Sequence, residues 1–564
     1  MHRSSFFFIL IFFANIFYTN TTNAQGIAWL NEIEGGNSLN NLSICGIVAD
    51  SQGYSYITGS FSDGALLDTT TLSSSGDQDI FIAKLNPLGQ AIWIKTAGGN
   101  SVDLGFDIEL DESGGIFVSG IFTDSASFDS IQVYRNYSSN FLAKYDTNGA
   151  IQWIKTGANT TGNNLVKSKL KYQNGFVYFA AFNDLSDSNS IETRTFDGYL
   201  LPDKPSNISP SSTVKQSFIF KSDVNGTNQW IRPFQANNNN TNNSVNIIED
   251  IQIKSNNHVV AQCFYTEDID IDATTFLGPA NFSIFTTNSM LVVELDQNGS
   301  LYQFNALAPQ LGPSYTPQFA SGIAADDSDN TYLVYQNRFN STLPLGFTVS
   351  KLDTALQVTQ SIVLGQLSNN LQAYFKTLEV KNQQVILGGD IRGTINVGGS
   401  SFYRLQESVF INLDSSLTNL NWLISSASSP PNNSSFSSRI IDCYFGPDNG
   451  IYFSGETGAD DRSFGDYDCN INSINNGFAL KLIGCNPTSA SIEPINPVIC
   501  GVGSSITLTA NYNNNLNINW FYEGVAQNGI TNNTFITANP GNYLIEIDSF
   551  GCKDTTTNAT VLFS

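Results

Sequence analysis

A pair of β-hairpins repeats along this chain, and that repeat restricts the possible folds more than any other feature of the sequence. One hairpin recurs at residues 79–99, 140–159 and 217–237, with weaker copies at 289–309, 347–365 and 409–428. In these copies apolar and polar residues alternate on both sides of a turn. A second hairpin precedes each copy and also occurs once more near the end, at residues 46–61, 107–122, 169–182, 250–265, 322–336, 378–391 and 442–457. Two hairpins make four strands, so the sequence predicts an all-β protein built from seven four-stranded units.

The two ends of the repeat region complement each other. The last repeat has a third strand at residues 477–484 but no fourth strand, whereas residues 27–36 resemble the fourth strand at 91–99. Four-stranded units closed into a ring form a β-propeller, which leaves only short strand edges open. We therefore predict a seven-bladed β-propeller over residues 25–484, with the N-terminal strand completing the seventh blade.

Large apolar residues mark the fourth strand of the repeats. They are Trp29, Trp93, Trp153, Trp230, Phe304, Val358 and Trp422. An aromatic side chain buries about 150–250 Å². Because its place in the repeat is constant, we expect packing between neighbouring blades rather than stacking on a ligand.

The best-preserved repeats resemble a known family. They follow the pattern D-I-F-[IV]-A-K-L-[ND]-x-x-G-x-x-x-W-x-K, preceded by G-x-x-x-D-x-x-G-x-x-Y-[IV]-T-G. This resembles the SBBP-type β-propeller repeat of bacteria, and the resemblance extends over residues 27–484. Blades four to six depart from it, since Phe304 and Val358 replace tryptophan and Glu294 replaces the strand lysine. The family implies a propeller on a secreted or surface protein and implies no defined chemistry.

The pattern changes at Cys485, and residues 485–564 form a second predicted domain. Trp520 lies between an early and a late cysteine, which fits a β-sandwich with a buried tryptophan. Residues 500–510 and 541–552 resemble the Ig-like or PKD-like domains of exported Bacteroidetes proteins. That resemblance and an exported context imply a Cys500–Cys552 disulfide. The pairing of the other cysteines stays open, with Cys443–Cys469 as one option; the five are Cys45, Cys263, Cys443, Cys469 and Cys485.

Residues 1–24 read as a signal peptide. His2 and Arg3 precede the apolar run 6–18, and Thr22-Asn23-Ala24 offers a cleavage site. The run is too short for a membrane span, which needs about 20 apolar residues. We expect an exported protein, extracellular or on the outer cell surface, with the periplasm as an alternative. The net charge of −24 argues against nucleic acid as a partner.

No catalytic motif, cofactor fingerprint or zinc spacing is present, so we predict no catalytic residue, no cofactor and no metal ligand. His258 is the only histidine after the signal peptide, which excludes a multi-histidine metal site. We interpret it as a solvated turn residue. Asp326, Asp327 and Asp329 could hold Ca²⁺, but the segment lacks the glycine and bidentate acid of a calcium loop. A turn stabilised by aspartate is the preferred interpretation there, and the same holds for Asp460 and Asp461.

Three functions follow as hypotheses. The first is a non-enzymatic binding or scaffold protein that recognises a surface protein or a glycan, with specificity in the long insertions at 183–216 and 266–288. The asparagine-rich segment 237–243 is interpreted as filler. The second is a structural subunit of an outer-membrane-associated secretion or adhesion assembly. The third is a carbohydrate-active hydrolase or lyase that uses carboxylates of the propeller channel.

Overall fold

A computed structural model describes residues 25–34, 42–159, 168–185, 195–206, 208–209, 212–237, 244–277, 289–307, 322–337, 345–367, 372–397, 400–428, 439–458, 462–464, 467–469, 475–484, 491–494, 497–499, 504–511, 517–527, 533–549, 552–555 and 559–563. Within these ranges all regular secondary structure is β, and no helix occurs. The predicted signal peptide, 1–24, lies outside them. The all-β prediction is therefore confirmed for the described part of the chain.

The strands up to residue 236 are β1 (Gln25–Glu34), β2 (Ser43–Ala49), β3 (Ser55–Phe61), β4 (Ala65–Leu67), β5 (Thr70–Leu72), β6 (Asp79–Leu85), β7 (Ala91–Gly98), β8 (Leu104–Leu110), β9 (Ile116–Phe128), β10 (Ile131–Tyr145), β11 (Ile151–Asn159), β12 (Lys169–Gln173), β13 (Phe176–Asp184), β14 (Thr195–Phe196), β15 (Tyr199–Leu200), β16 (Val214–Asp223), β17 (Asn228–Pro233) and β18 (Gln235–Ala236).

The strands from residue 244 to residue 484 are β19 (Ser244–Ile253), β20 (Val259–Tyr265), β21 (Ile269–Ile271), β22 (Thr274–Phe276), β23 (Ser289–Leu295), β24 (Leu301–Leu307), β25 (Gly322–Ala325), β26 (Thr331–Asn337), β27 (Leu345–Leu352), β28 (Val358–Leu367), β29 (Gln372–Lys381), β30 (Gln384–Val397), β31 (Ser400–Asp414), β32 (Leu420–Ser428), β33 (Arg439–Phe445), β34 (Ile451–Gly458), β35 (Arg462–Phe464), β36 (Tyr467–Cys469) and β37 (Asn475–Gly484).

The C-terminal strands are β38 (Ser491–Glu493), β39 (Val498–Ile499), β40 (Ile506–Asn511), β41 (Asn517–Tyr522), β42 (Val525–Ala526), β43 (Thr534–Thr537), β44 (Gly541–Ser549), β45 (Cys552–Thr555) and β46 (Ala559–Phe563).

The long strands pair as antiparallel groups of four, in which consecutive strands are neighbours. We number them group 1 (β2, β3, β6, β7), group 2 (β8 to β11), group 3 (β12, β13, β16, β17), group 4 (β19, β20, β23, β24), group 5 (β25 to β28), group 6 (β29 to β32) and group 7 (β33, β34, β37, β1). In group 7 the outer strand is the N-terminal β1, which pairs with β37 so that Trp29 lies opposite Lys481. The first and fourth strands of a group are called its inner and outer strands below.

The outer-strand tryptophans pack on a glycine of the following group. That glycine lies in the turn before the outer strand and has a positive φ, which a glycine adopts without strain. A Cβ on Gly89, Gly149, Gly226 or Gly299 would touch the ring of Trp29, Trp93, Trp153 or Trp230, respectively. The expected packing between neighbouring units is thus present at these four junctions. Phe304 and Val358, which replace tryptophan, are instead 45% and 44% exposed.

Short hairpins between the second and third strands of a group cover the outer strand of the preceding group. We call them latch hairpins: β4–β5 pairs with β1, the tip of β9–β10 with β7, β14–β15 with β11, β21–β22 with β18, and β35–β36 with β32. The described parts of the insertions expected as exposed loops at 183–216 and 266–288 belong to this set. They are anchored, because Phe196, Leu201 and Phe276 are buried. Residues 238–243 lie outside the described ranges.

Two C-terminal sheets share one core. One sheet has the order β38-β40-β43, and the other has β39-β46-β44-β41-β42 with β45 paired to β44. Trp520 is fully buried between them, in contact with Phe535 and among Leu508, Ile545 and Val561. Burial of Trp520 agrees with the sequence pattern. Cys500 and the side chain of Cys552 lie outside the described residues, so their disulfide stays a prediction.

Candidate functional site

The inner strands of all seven groups converge on one cavity. Their residues correspond from group to group, and two positions of each strand form two layers. The first layer is Gly46, Asp107, Lys169, Asp250, Gly322, Thr377 and Asp442, and the second, two residues later, is Val48, Glu109, Lys171, Gln252, Ala324, Glu379 and Tyr444. Most of these residues line the cavity. Between the layers stands a buried, mostly aliphatic residue, such as Ile108 or Ile323.

A local irregularity aims the first-layer side chains. The ladder between the inner and second strands shifts register immediately before Gly46, Asp107, Asp250, Thr377 and Asp442. Such β-bulges redirect a side chain and often adjoin functional regions. The common position of the bulge explains why the first-layer residues of different groups face the same space.

Three first-layer carboxylates tie their inner strand to the next one. Asp107 accepts hydrogen bonds from the N–H of Ile108 and, at 2.8 Å, from that of Leu170 in group 3. Asp442 accepts from Cys443 and, at 3.0 Å, from Ile47 in group 1. Asp250 bonds Ile251 and Ile323 in the same way. Between groups 6 and 7 the Thr377 hydroxyl accepts the Cys443 N–H at 3.0 Å.

Glycine takes the first-layer position where the next strand comes closer. A Cβ on Gly46 would lie 3.0 Å from the backbone nitrogen of Ile108. On Gly322 it would lie 2.9 Å from the Leu378 Cβ and 3.1 Å from the Leu378 nitrogen. Aspartate, threonine and glycine in the first layer therefore allow the same close contact between successive inner strands in different ways.

Five carboxyl groups and two lysines make this cavity a charged cluster. Lys171 lies 3.3 Å from Glu109 and 3.6 Å from Glu379, so it bridges groups 2 and 6. We call Asp107, Glu109, Lys169, Lys171, Asp250, Glu379 and Asp442 the channel cluster. Its free space is about 20 Å³, which is room for about one water molecule.

Burial and mutual charge shift the pKa values of this cluster. Burial raises the pKa of Glu109 to about 8, although Lys171 partly offsets the effect. Burial and the charge of Asp107 raise the pKa of Asp442 to about 7. Burial opposes the charge of Lys171, but Glu109 and Glu379 raise its pKa well above the ordinary value. The lysines are thus fixed cations, whereas Glu109 and Asp442 have pKa values near neutral pH.

His258 is not the solvated turn residue that we expected. Its Nδ1 lies 2.7 Å from Oε1 of Glu294, and its ring stands 4.6 Å from that of Tyr302. Glu294 Oε2 also accepts a 2.7 Å hydrogen bond from Lys254, and both of these side chains are 2% exposed. Periodicity placed His258 near a turn but gave no sign of the buried acid.

The Lys254–Glu294 pair explains why Glu294 replaces the strand lysine in group 4. In groups 2 and 7 a third-strand lysine pairs with a turn aspartate, as Lys144 with Asp111 and Lys481 with Asp448. In group 4 the lysine stands in the turn and the acid in the strand, so the ion pair is inverted. The signal in the sequence was Lys254, where groups 1, 2 and 5 carry Asp50, Asp111 and Asp326.

The turn interpretation of Asp326 is confirmed. Its Oδ1 accepts hydrogen bonds from the backbone N–H groups of Ser328 and Asn330, and its carboxylate lies 3.4 Å from Lys351. Asp329 caps a neighbouring turn through the N–H of Ser255 at 2.7 Å. Asp460 and Asp461 lie outside the described residues.

Cys443 is a buried free thiol rather than half of a disulfide with Cys469. Its sulfur lies 2.9 Å from the Thr377 hydroxyl in the first layer, and burial raises its pKa well above the ordinary value. Cys263 is also a buried free thiol, whose pKa burial likewise raises. The side chain of Cys469 and the whole of Cys485 fall outside the described residues.

No group of three or more His, Cys, Asp or Glu side chains among the described residues is arranged to hold a metal ion. No helix among them has the length and apolarity that a membrane crossing requires.

No protein-family model matches the chain, and no curated protein matches it. Among solved structures it is similar to a mutant apocarotenoid oxygenase of Synechocystis, with 11% identity and a TM-score of 0.32 over 67% of this chain and 70% of that one. It is similar to Sqt1 of Chaetomium thermophilum, with 8% identity and a TM-score of 0.33 over 80% of this chain and 99% of that one. It is also similar to the parainfluenza virus 5 hemagglutinin-neuraminidase, with 12% identity and a TM-score of 0.29 over 69% of this chain and 97% of that one. With TM-scores below 0.5, these structures support no inference about this chain, and the strand pairing alone defines its fold.

Proposed function

We propose that this chain is an exported, seven-bladed β-propeller closed by β1, and that it acts as a non-enzymatic scaffold for a surface protein or a glycan. The supporting observation is the channel cluster, whose free space of about 20 Å³ leaves no room for a sugar ring or a peptide. A partner would then contact the outside of the ring.

The latch hairpins offer the outside surface that best fits this role. Three consecutive ones, in groups 2, 3 and 4, each carry one large exposed apolar side chain at or next to the hairpin. These are Tyr134, Leu200 and Leu277, which are 69%, 62% and 74% exposed. Aromatic side chains such as that of Tyr134 are enriched among the residues that dominate binding at interfaces.

Binding of purified protein to glycan arrays and to intact producing cells tests the proposal. A Tyr134→Ser, Leu200→Ser, Leu277→Ser variant should weaken binding about tenfold or more with an unchanged melting temperature. Leu88→Ser with Ile92→Ser is the matched control, since both residues are exposed and belong to none of these three hairpins. Absence of binding by the unmodified protein to every glycan, surface protein and cell fraction would contradict the scaffold role.

Ring closure has its own test. Deletion of residues 25–34 removes β1, which pairs with β37 and with β4. We expect a lower melting temperature and faster proteolysis near β37, because two ladders lose a partner. If the deletion leaves both unchanged, β1 does not close a ring.

One observation favours a second candidate, a carbohydrate-active enzyme. Carboxyl groups with pKa values of about 7 and 8 converge in the channel cluster, as an acid and base of a hydrolase would, although a sugar substrate would have to widen the free space of about 20 Å³ there. Turnover on a polysaccharide panel that is lost in Glu109→Gln with Asp442→Asn would establish it. Equal activity of that variant and the unmodified protein would exclude these carboxylates from catalysis.

A further inference from the structure

Two aspartates meet at the junction of groups 1 and 2, outside the channel cluster. Gln78 and Val102 form a parallel bridge, and the N–H of Asp103 donates to the Gln78 carbonyl at 2.8 Å. Residues that follow bridged positions in parallel segments lie side by side, about 5 Å apart. Asp79 and Asp103 are those residues.

The two carboxylates point into the same buried space. Asp79 is 2% exposed and Asp103 is fully buried. A Cβ on Gly98 would collide with Oδ1 of Asp79 and with Oδ2 of Asp103. Since Gly98 has no side chain, the oxygens share the space beside its Cα.

One of these oxygens has no hydrogen-bond partner. Asp103 accepts from the N–H groups of Gly99, at 2.6 Å, and Thr123, at 2.9 Å. Asp79 Oδ2 accepts from the N–H of Ser75 at 2.7 Å, whereas the buried Oδ1 accepts from no group. The charges that act on Asp103 are those of Asp79 and Asp124, both negative. A buried carboxylate oxygen without a donor, next to a second carboxylate, calls for a positive ion.

The junction of groups 3 and 4 shows the uncharged form of this arrangement. There β16 and β19 also run parallel. By the repeat, Gln216 corresponds to Asp79, since each precedes the strand lysine by five residues, and Asn246 corresponds to Asp103, four residues before the first-layer aspartate. Asn246 accepts the Ser217 N–H at 2.6 Å and donates to the Phe234 carbonyl at 2.9 Å. Gln216 Oε1 is also buried without a donor, but the two amides carry no charge, so this junction needs no ion.

We propose that Asp79 and Asp103 bind a Ca²⁺ ion that joins groups 1 and 2. Ca²⁺ prefers oxygen ligands and accepts irregular sets that water and backbone carbonyls complete, whereas Mg²⁺ demands a regular octahedron. The ion would neutralise both carboxylates and occupy the space that Gly98 leaves open. In its absence the pair would have to share a proton, and burial indeed raises the pKa of Asp103 to about 7.

The test compares melting temperatures of EDTA-treated full-length protein with and without CaCl₂. At 100 times the dissociation constant, we expect Ca²⁺ to raise the melting temperature by about 2 °C or more. Asp79→Gln with Asp103→Asn reproduces the residues of the other junction and should abolish the rise. Asp79→Asn alone removes one charge with little change of shape and serves if the double variant folds poorly. Asp129→Asn, a nearby surface acid, is the control and should keep the full rise.

Two results would overturn the proposal. An equal rise in the unmodified protein and in both site variants would place the ion elsewhere. No rise of the melting temperature in the unmodified protein would also overturn it. If the stability of that protein then falls from pH 5 to pH 8 while that of Asp79→Asn does not, the two carboxylates share a proton instead.

Discussion

Removal of the buried acid Glu294 should destabilise the protein more than loss of any exposed ion pair. Glu294→Gln leaves Lys254 without a counter-charge, although its side chain is 2% exposed and 2.7 Å from Glu294 in the unmodified protein. Breaking a buried pair in this way costs about 3–5 kcal/mol. The glutamine retains one acceptor for Lys254 or His258, so we expect a loss at the lower end, about 3 kcal/mol. Urea unfolding followed by fluorescence measures it.

A charge exchange separates the ion pair from general damage to the site. Lys254→Asp with Glu294→Lys restores the polarity of the Asp111–Lys144 pair, so it should be more stable than the sum of its single variants predicts. We expect a coupling energy of about 2 kcal/mol or more in the double-mutant cycle. The comparison pair is Asp326–Lys351, about 20% exposed, where Lys351→Gln should cost about 1 kcal/mol or less. A cost below about 1 kcal/mol for Glu294→Gln, or additive effects in the cycle, would refute the reasoning.

Three other changes have defined outcomes. Asp442→Ala removes the acceptor of two backbone N–H groups and should lower the free energy of unfolding by about 2–4 kcal/mol in urea denaturation, whereas Asp442→Asn should cost less. Glu109 has a folded-state pKa of about 8, above the unfolded value near 4.3, so its contribution to stability is lost as pH rises from about 4 to 8. That loss is at most about 5 kcal/mol, and Glu109→Gln should remove it from the pH dependence of unfolding; an unchanged dependence would contradict the assignment. Phe196→Ala removes a ring packed on Phe179 and Phe220, so it should cost about 3–5 kcal/mol of stability and speed hydrogen exchange in β11. Unchanged slow exchange in β11 would show that the latch hairpin does not protect this strand.

The sequence predicted the strands well, because alternation and turn residues are local signals. The copies of the hairpin pattern correspond to antiparallel ladders, and the likeness of residues 27–36 to an outer strand matches the pairing of β1 with β37. Burial of Trp29 against Gly89 follows from the same pattern, since a turn glycine and a tryptophan recur at fixed places.

Contacts between distant residues could not be predicted in this way. The bonds from Asp442 to Ile47 and from Asp107 to Leu170 join strands of different repeats, and only the three-dimensional arrangement brings them together. The hairpins within 183–216 and 266–288 were mistaken for exposed loops for a related reason. Their strands are two or three residues long, too short for alternation to be recognised, and Phe196 is buried against Phe179 and Phe218, which lie far from it in the sequence.

The departures from the repeat follow a physical rule. Each inner strand needs a close contact with the next one, and Asp107, Thr377 or Gly46 can supply it in different ways. In groups 2, 5 and 7 a third-strand lysine pairs with an aspartate of the turn, and in group 4 the Lys254–Glu294 pair makes the same contact with reversed signs. The residue at a given position therefore differs between repeats, while the contact that it makes with the neighbouring strand or turn is kept. It follows that a repeat is better recognised by paired positions than by single ones, and that single substitutions at these positions cost more than matched double ones.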